Sequence, residues 1–312
     1  MAKAKGRSFV RRVVLLATSS FPKYHLKSPM RVGQLRLIPV HAALFILTSL
    51  TVFAQSRPAY EVYAIRYATI PDFPVAELVS GADRARKLDI AMTIWLVRGA
   101  NRNVLVDSGF YHERFFKDWT VRNFIKPSDA LVPLGLKPDD ITDIVITHLH
   151  WDHADGIDLF PKARIWIQTE ELEYYTGEAW ETHETSDGID PQDVLELVKF
   201  NTEGRVGLVH GDAQEILPGL TCYTGGKHTH QSQYLGVTTA AGTVILASDN
   251  RYLYENMEKH VPIAETLDAT SNLRAQDRMK RLAARPELVI PGHDPSVFDR
   301  FPRIAPGIVR IQ

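Results

Sequence analysis

The apolar and polar positions of the chain form two kinds of short segment from about residue 60 onward. Apolar runs rich in β-branched and aromatic residues predict strands, and segments with apolar residues at helical spacing predict helices. The predicted strands are 61–68, 92–97, 103–107, 143–147, 163–168, 220–224, 234–239, 243–248 and 287–291. The predicted helices are roughly 112–123, 170–175, 191–200 and 271–284. This order predicts an α/β domain in which helices cover β-sheets.

The first 54 residues have a different pattern, with nine Lys or Arg and no acidic residue. An apolar stretch at 37–54, broken by Pro39 and His41, ends in the small residue Ala54. A basic start, an apolar run and a small final residue predict a secretory signal peptide, and hence a periplasmic or secreted protein that begins at Gln55. The alternative is an uncleaved membrane anchor, because the stretch nearly reaches spanning length. We therefore divide the chain into an N-terminal extension with signal peptide, 1–54, and one folded domain, 55–312.

Charge is distributed unevenly between these two parts. The whole chain has a net charge of -1, but residues 55–312 hold 27 basic and all 37 acidic residues, a net charge of -10. This charge argues against nucleic acid or an anionic membrane surface as a partner of the folded part. The single cysteine, Cys222, excludes an intrachain disulfide and a cluster of thiolate metal ligands.

Metal-binding residue types are concentrated in the stretch HLHWDHADG, directly after the predicted strand 143–147. The start of an extended loop aims His148 and His150 the same way, and Asp152 and His153 follow as the backbone turns toward a helix. Such a density of metal-capable residues at fixed spacing favours a metal site, with more ligands than one ion takes comfortably. The alternative is a polar helix cap, in which Asp152 caps the helix and the histidines are solvated.

The pattern His-x-His-x-Asp-His at 148–153 resembles the signature of the metallo-β-lactamase superfamily. That resemblance implies a four-layer αββα sandwich of two mixed β-sheets flanked by helices. Three later segments extend it: GGKHTHQSQ contains His228, ILASDNRYLYEN contains Asp249, and VIPGHD contains His293. Each follows a predicted strand, which implies that all three lie on one rim of the sandwich.

The resemblance also implies a ligand set for two divalent metal ions. One ion would be held by His148, His150 and His228, the other by Asp152, His153 and His293, and Asp249 would bridge them. His230, two residues after His228, is an alternative to it. Imidazole with carboxylate suits Zn²⁺ best, although iron, manganese and cobalt are compatible. Asp107, in the turn VDSG after a predicted strand, is expected to orient a loop or a histidine rather than bind metal.

The segment DNRYLYEN narrows the resemblance to the N-acyl homoserine lactone lactonases, because it has their pattern D-x-x-Y-x-x-E-N. This implies a dinuclear-metal hydrolase in which a metal-bridging hydroxide opens the ring of an N-acyl homoserine lactone or a similar small lactone. The Tyr252 hydroxyl would stabilise the oxyanion, and Asp152 would carry a proton to the leaving alkoxide. Tyr252 as a simple packing residue is the alternative.

Two other functions remain open from the sequence. One is a related hydrolase of a thioester, a phosphotriester or another ester, and the other is a non-catalytic exported metal-binding protein. The expected partner is a small-molecule substrate, with no nucleic acid and no stable membrane association after signal cleavage, and a homodimer is left open. Residues 69–79 or, alternatively, residues 174–190 are predicted to contact the side chain of the substrate.

Overall fold

The computed structural model describes residues 59–181 and 187–312. The predicted signal peptide at 37–54, its cleavage after Ala54 and the domain boundary at residue 55 lie outside the described residues. They therefore stay predictions. Within the described part, no helix is both long enough and apolar enough to cross a membrane.

The described residues form thirteen strands in two sheets. They are β1 (Glu61–Pro74), β2 (Lys87–Gly99), β3 (Arg102–Val106), β4 (Asp143–Val145), β5 (Arg164–Gln168), β6 (Val206–Val209), β7 (Gln214–Leu217), β8 (Leu220–Thr224), β9 (Gln233–Thr239), β10 (Gly242–Ser248), β11 (Val289–Pro291), β12 (Arg303–Ala305) and β13 (Ile308–Arg310). The larger sheet has the order β12-β13-β1-β2-β3-β4-β5-β6, and the smaller has the order β11-β10-β9-β8-β7. Both sheets are mixed, because β3 to β6 and the pair β10 and β11 run parallel while β1, β2 and β3 pair antiparallel, as do β9 and β10.

Seven α-helices lie in the described residues. They are α1 (Phe115–Asp118), α2 (Trp151–Ala154), α3 (Thr169–Tyr175), α4 (Pro191–Thr202), α5 (Tyr254–Glu258), α6 (Ala269–Leu282) and α7 (Val297–Arg300). Short 3₁₀ turns occur at Val75–Glu77, Asp129–Leu134, Pro138–Asp140, Ile157–Leu159, Glu178–Trp180 and Pro286–Leu288. The Asp190 side chain accepts a hydrogen bond from a backbone N–H at the start of α4, which explains why this helix begins there.

Side chains alternate between the two faces of each sheet, and both faces are buried. In β3, Val104 packs between the sheets with Leu246 of β10. The next residue, Leu105, packs on the opposite face in a core that includes Leu197 of α4. Met279 of α6 covers the outer face of the smaller sheet. The layers therefore run helix, sheet, sheet, helix, and the predicted αββα sandwich is confirmed.

One predicted helix is wrong. The segment 112–123 contains only the four-residue α1, because its second half takes part in other contacts. The backbone of Arg122 pairs with that of Thr69 through N–O distances of 2.8 and 2.9 Å, as a strand would. The ring of Trp119 stacks between Phe73 and Trp151, with centroid distances of 6.0 and 5.7 Å. These long-range contacts override the local helical pattern.

The other predicted helices and all nine predicted strands are present. Most ends differ by two residues or fewer, but β1 ends six residues later than predicted and β2 begins five residues earlier. Strands β6, β7, β12 and β13 were not predicted, because runs of three or four residues carry little periodic signal.

Candidate metal centre

The predicted metal ligands lie on loops that leave four strands. His148 and His150 follow β4, and the short helix α2 then presents Asp152 and His153. The remaining ligands follow strands of the smaller sheet: His228 lies between β8 and β9, Asp249 directly follows β10, and His293 follows β11. The two sheets thus contribute side chains to the same place.

The seven side chains form two groups in which the potential ligand atoms lie within 4.8 Å of one another. The first contains His148, His150, His228 and Asp249, and the second contains Asp152, His153 and His293. The Oδ2 atom of Asp249 is 3.6 Å from Nε2 of His228 and 3.3 Å from Nε2 of His153. Its carboxylate therefore lies between the groups, which is the arrangement that the resemblance implies for a bridging ligand.

In the first group, unprotonated ring nitrogens of the three histidines converge on the same place. The Nδ1–H of His228 donates to the backbone oxygen of Glu265 over 2.9 Å, so Nε2 of the neutral ring carries a lone pair. That atom is 3.2 Å from Nε2 of His148 and 3.0 Å from Nδ1 of His150. Burial lowers the pKa of His148 well below its usual value and that of His150 to about 3, so both rings are neutral. Converging lone pairs of neutral imidazoles fit a divalent cation.

The second group favours positive charge. The Nδ1 atoms of His153 and His293 face Asp107 Oδ2 at 2.8 Å and the backbone oxygen of Ala91 at 3.0 Å. Burial alone would lower the pKa of both rings, but the neighbouring carboxylates have the larger effect. They raise the pKa of His153 well above its usual value and also raise that of His293. The buried atoms His153 Nε2 and Asp249 Oδ1 make no hydrogen bond within the described residues. This donor set also fits a divalent cation.

Asp107 orients His153, in agreement with the expectation from its position in VDSG. Its carboxylate also accepts hydrogen bonds from the backbone N–H of Thr147, at 2.8 Å, and from the hydroxyl of Ser248, at 2.9 Å. It therefore joins the ends of β4 and β10 beneath the ligands. A side chain at Gly292 would overlap the carboxylate of Asp249, so only glycine permits this approach of the two loops.

Glu171, a residue that the sequence analysis missed, connects the two ligand loops of the first group. It is fully buried, and its carboxylate accepts hydrogen bonds from Leu149 N at 3.2 Å, Thr229 Oγ1 at 2.7 Å and Gln231 N at 2.6 Å. Leu149 lies between two ligand histidines, and Thr229 follows His228. Burial raises the pKa of Glu171 to about 7. No local pattern marks this residue, because its partners are 22 to 60 positions away in sequence.

A cavity of about 490 Å³ opens onto both groups. The rings of Phe73, Trp119 and Trp151 form an aromatic wall on one side. The two segments that were predicted to contact substrate contribute to the lining, through Ile70, Phe73, Glu77 and Leu78 from the first and through Tyr175, Asp187 and Gly188 from the second. Substrate contact itself stays a prediction.

Tyr252 lies next to one histidine of each group and lines the same cavity. Its ring centroid is 5.4 Å from that of His228 and 5.8 Å from that of His293. Its hydroxyl is 3.4 Å from Nδ1 of His228 and donates to Oε2 of Glu265 over 3.0 Å. His230, by contrast, stacks on Tyr174 at 3.8 Å and belongs to neither group, so the geometry favours His228 as the ligand.

The sequence profile of the metallo-β-lactamase superfamily matches residues 91–293, which is more than half of the chain and spans the candidate ligands. The chain belongs to the metallo-β-lactamase superfamily. As a member with both the fold and the metal-binding clusters, it is a metal-dependent hydrolase.

Sequences similar to this chain include N-acyl homoserine lactonases. The protein of Bacillus cereus is 28% identical over 222 residues, which cover 66% of this chain and 82% of the relative. N-acyl homoserine lactonase AiiB of Agrobacterium fabrum (strain C58) is 27% identical over 234 residues, which cover 69% of this chain and 83% of the relative. This chain therefore aligns with most of the length of these two lactonases.

Solved structures with the same fold include two lactonases. A quorum-quenching N-acyl homoserine lactone lactonase superposes with a TM-score of 0.63 at 23% identity, over 80% of this chain and 98% of the other. AidC, a dizinc quorum-quenching lactonase in complex with a product, superposes with a TM-score of 0.58 at 16% identity, over 81% of this chain and 94% of the other. At these identities the superpositions show the shared superfamily fold.

Proposed function

We propose that the protein opens the ring ester of a lactone, either an N-acyl homoserine lactone or a similar small lactone. The position of Tyr252 carries this proposal, because its side chain lines the cavity next to His228 and His293, with its hydroxyl 3.4 Å from Nδ1 of His228. A hydroxyl at that point donates to an oxygen of a substrate bound between the groups. The similarity to N-acyl homoserine lactonases over most of their length supports the same substrate class.

We infer that two divalent metal ions, best matched by Zn²⁺, are held by the two groups, with Asp249 between them. When bound, such ions lower the pKa of water and polarise a carbonyl oxygen, which supplies the nucleophile and the electrophilic activation for ester hydrolysis. The ligand set would be His148, His150, His228, Asp249, Asp152, His153 and His293.

Tyr252 and Asp152 have different tasks in the proposed reaction. Burial raises the pKa of Tyr252 well above its usual value, so its hydroxyl stays protonated and donates a hydrogen bond to the oxyanion. Although burial opposes ionisation of Asp152, the rings of His153 and His293 outweigh it and lower the pKa of this carboxyl. Asp152 is therefore a carboxylate that accepts a proton and then passes it to the leaving alkoxide.

The aromatic wall gives the cavity an apolar side suited to an acyl tail. Phe73 and Trp151 are partly buried and pack against the core, so their rings are held in place before a ligand arrives. An acyl chain that covers these rings removes apolar surface from water, at about 25 cal/mol per Å². Longer acyl chains are therefore expected to lower KM until the wall is covered.

The test is a screen of the purified, metal-loaded protein. The substrates are γ-butyrolactones with acylamino chains of several lengths, a thioester, a phosphotriester and a cephalosporin. We expect the lactones to have the highest kcat/KM, and the Asp249→Ala variant to be inactive on all of them. Hydrolysis of the thioester or phosphotriester with lactones left intact would reject the proposal and retain only the metal-dependent hydrolase.

We also propose that the protein is exported and begins at Gln55. The basic start and the apolar stretch at 37–54 support this proposal. N-terminal sequencing of the protein from its native host tests it. An intact Met1 or Met30 on soluble protein in the cytoplasm is the result that would contradict export.

A further inference from the structure

Glu265 lies at the mouth of the cavity and contacts the site in two ways. Its backbone oxygen accepts the Nδ1–H of His228 over 2.9 Å, and its carboxylate Oε2 accepts the hydroxyl of Tyr252 over 3.0 Å. The side chain is exposed and lines the cavity. Among the residues that the structure describes, Tyr252 is the one hydrogen-bond partner of this carboxylate.

The proposed reaction changes the partner of Glu265. The hydroxyl of Tyr252 has one hydrogen, so it cannot donate fully to Glu265 and to a substrate oxygen at the same time. When Tyr252 turns to the developing oxyanion, the carboxylate of Glu265 loses its donor. A bound acyl chain would also displace water from the part of this carboxylate that lines the cavity, and an acceptor left there without a donor is unfavourable. A substrate that brings its own N–H group to Glu265 removes this cost.

The spacing of the two groups fits one class of lactone. The hydroxyl oxygen of Tyr252 and Oε2 of Glu265 are 3.0 Å apart. In a lactone with an acylamino group on the carbon next to the carbonyl, the amide nitrogen and the carbonyl oxygen are linked as N–C–C=O. With standard bond lengths these two atoms lie roughly 3 Å apart. The Tyr252 hydroxyl can therefore donate to the carbonyl oxygen while Oε2 of Glu265 accepts from the amide N–H, because the two protein atoms and the two substrate atoms have about the same separation.

We propose that Glu265 is a specificity-determining residue whose carboxylate accepts the N–H of an α-acylamino lactone while Tyr252 donates to the lactone carbonyl oxygen. This inference rests on the proposed lactonase function and narrows its substrate class. It distinguishes α-acylamino lactones from alkyl lactones of the same size. A purely structural role, in which Glu265 only holds Tyr252, would affect both kinds of lactone equally.

The experiment compares two γ-butyrolactones of equal length. One carries an α-acylamino group, and in the other a CH₂ group replaces the N–H. We expect the wild type to prefer the first by about 10- to 100-fold in kcat/KM, as for a hydrogen bond to a charged group. Glu265→Ala should reduce this preference to within about threefold, and Glu265→Gln, which keeps an acceptor oxygen, should retain part of it. Glu287→Ala, which removes an exposed carboxylate outside the cavity lining, should leave the preference unchanged.

Binding gives a second measurement that does not depend on turnover. Calorimetry with the matching pair of γ-lactams, which hydrolyse far more slowly, should show the same preference in wild type and its loss in Glu265→Ala. Metal content is measured for each variant, because the backbone of residue 265 contacts His228.

The outcomes separate this inference from the proposed function. Equal hydrolysis of both lactones by the wild type overturns the role of Glu265 and leaves the lactonase proposal intact. An unchanged preference in Glu265→Ala, with both rates lowered alike, shows that Glu265 only positions Tyr252 and also overturns the inference. Hydrolysis of neither lactone overturns both proposals.

Discussion

Glu171 offers a direct test of how the metal-binding loops are held. We compare Glu171→Ala, which removes the carboxylate, with Glu171→Gln, which has the same shape but only one acceptor oxygen. In the wild type this carboxylate accepts three hydrogen bonds, from Leu149, Thr229 and Gln231. These bonds reach the loops on both sides of the first ligand group, so the variants should affect folding and metal binding together.

The expected magnitude follows from the donors left behind. A buried donor without an acceptor costs about 1–3 kcal/mol, and Glu171→Ala leaves three of them. Because water enters the space of the deleted side chain, we expect a loss of about 3–5 kcal/mol rather than the full sum. For a domain of this size that lowers Tm by about 6–20 °C. Glu171→Gln places an amide group against the N–H of Gln231 and should cost about 1–3 kcal/mol.

The assays are denaturant unfolding of the metal-free protein and competition for metal with a chelator. Metal affinity should fall about 10- to 100-fold in Glu171→Ala, as when a group that supports metal ligands is removed. Glu173→Ala is the matched control, because it lies in the same helix with an exposed side chain. A Glu171→Ala protein with wild-type unfolding free energy and wild-type metal affinity would refute the reasoning.

Three further predictions concern the site. Tyr252→Phe should lower kcat on a lactone by about 10- to 1000-fold with unchanged metal content, as for one oxyanion donor, and a wild-type rate would reduce Tyr252 to a packing residue. Asp249→Ala should lower the metal content, measured by plasma emission, from about two ions per chain to one or none; wild-type content would exclude it as the shared ligand. The folded-state pKa of Glu171, about 7 against an ordinary 4.5, means that ionisation costs the folded state stability as pH rises through this window. The unfolding free energy of metal-free wild type relative to Glu171→Gln should therefore fall by about 3 kcal/mol from pH 4.5 to pH 7, and a constant difference would contradict this.

The sequence was most informative where ligands are close together along the chain. The spacing of His148, His150, Asp152 and His153 after an apolar strand is a local pattern, and the structure places these side chains in two adjacent groups. The isolated histidine at 293 was recognised because it follows a predicted strand in a segment that resembles the superfamily pattern. Likewise, apolar runs rich in β-branched and aromatic residues predicted every strand of five or more residues.

The sequence was least informative where distant segments meet. The helix predicted at 112–123 was wrong because its aromatic residues pack against Trp151 and its backbone pairs with Thr69, which no local window reveals. Glu171 and Glu265 were missed for the same reason. Each is an ordinary acidic residue in its own segment, and only the fold brings it to Thr229 or Tyr252.

Both ligand groups draw side chains from the two sheets, and this has a consequence for how the protein withstands stress. His148 and His153 follow a strand of the larger sheet, whereas His228 and His293 follow strands of the smaller one. An ion bound by either group would therefore link the larger sheet to the smaller one. No internal disulfide can do this, because the chain has a single cysteine. Each tenfold rise in the concentration of free metal above its Kd then adds about 1.4 kcal/mol to the free energy of unfolding. Resistance to proteolysis should therefore rise with the concentration of free metal, so that scarcity of the ion shortens the lifetime of the protein as well as its activity.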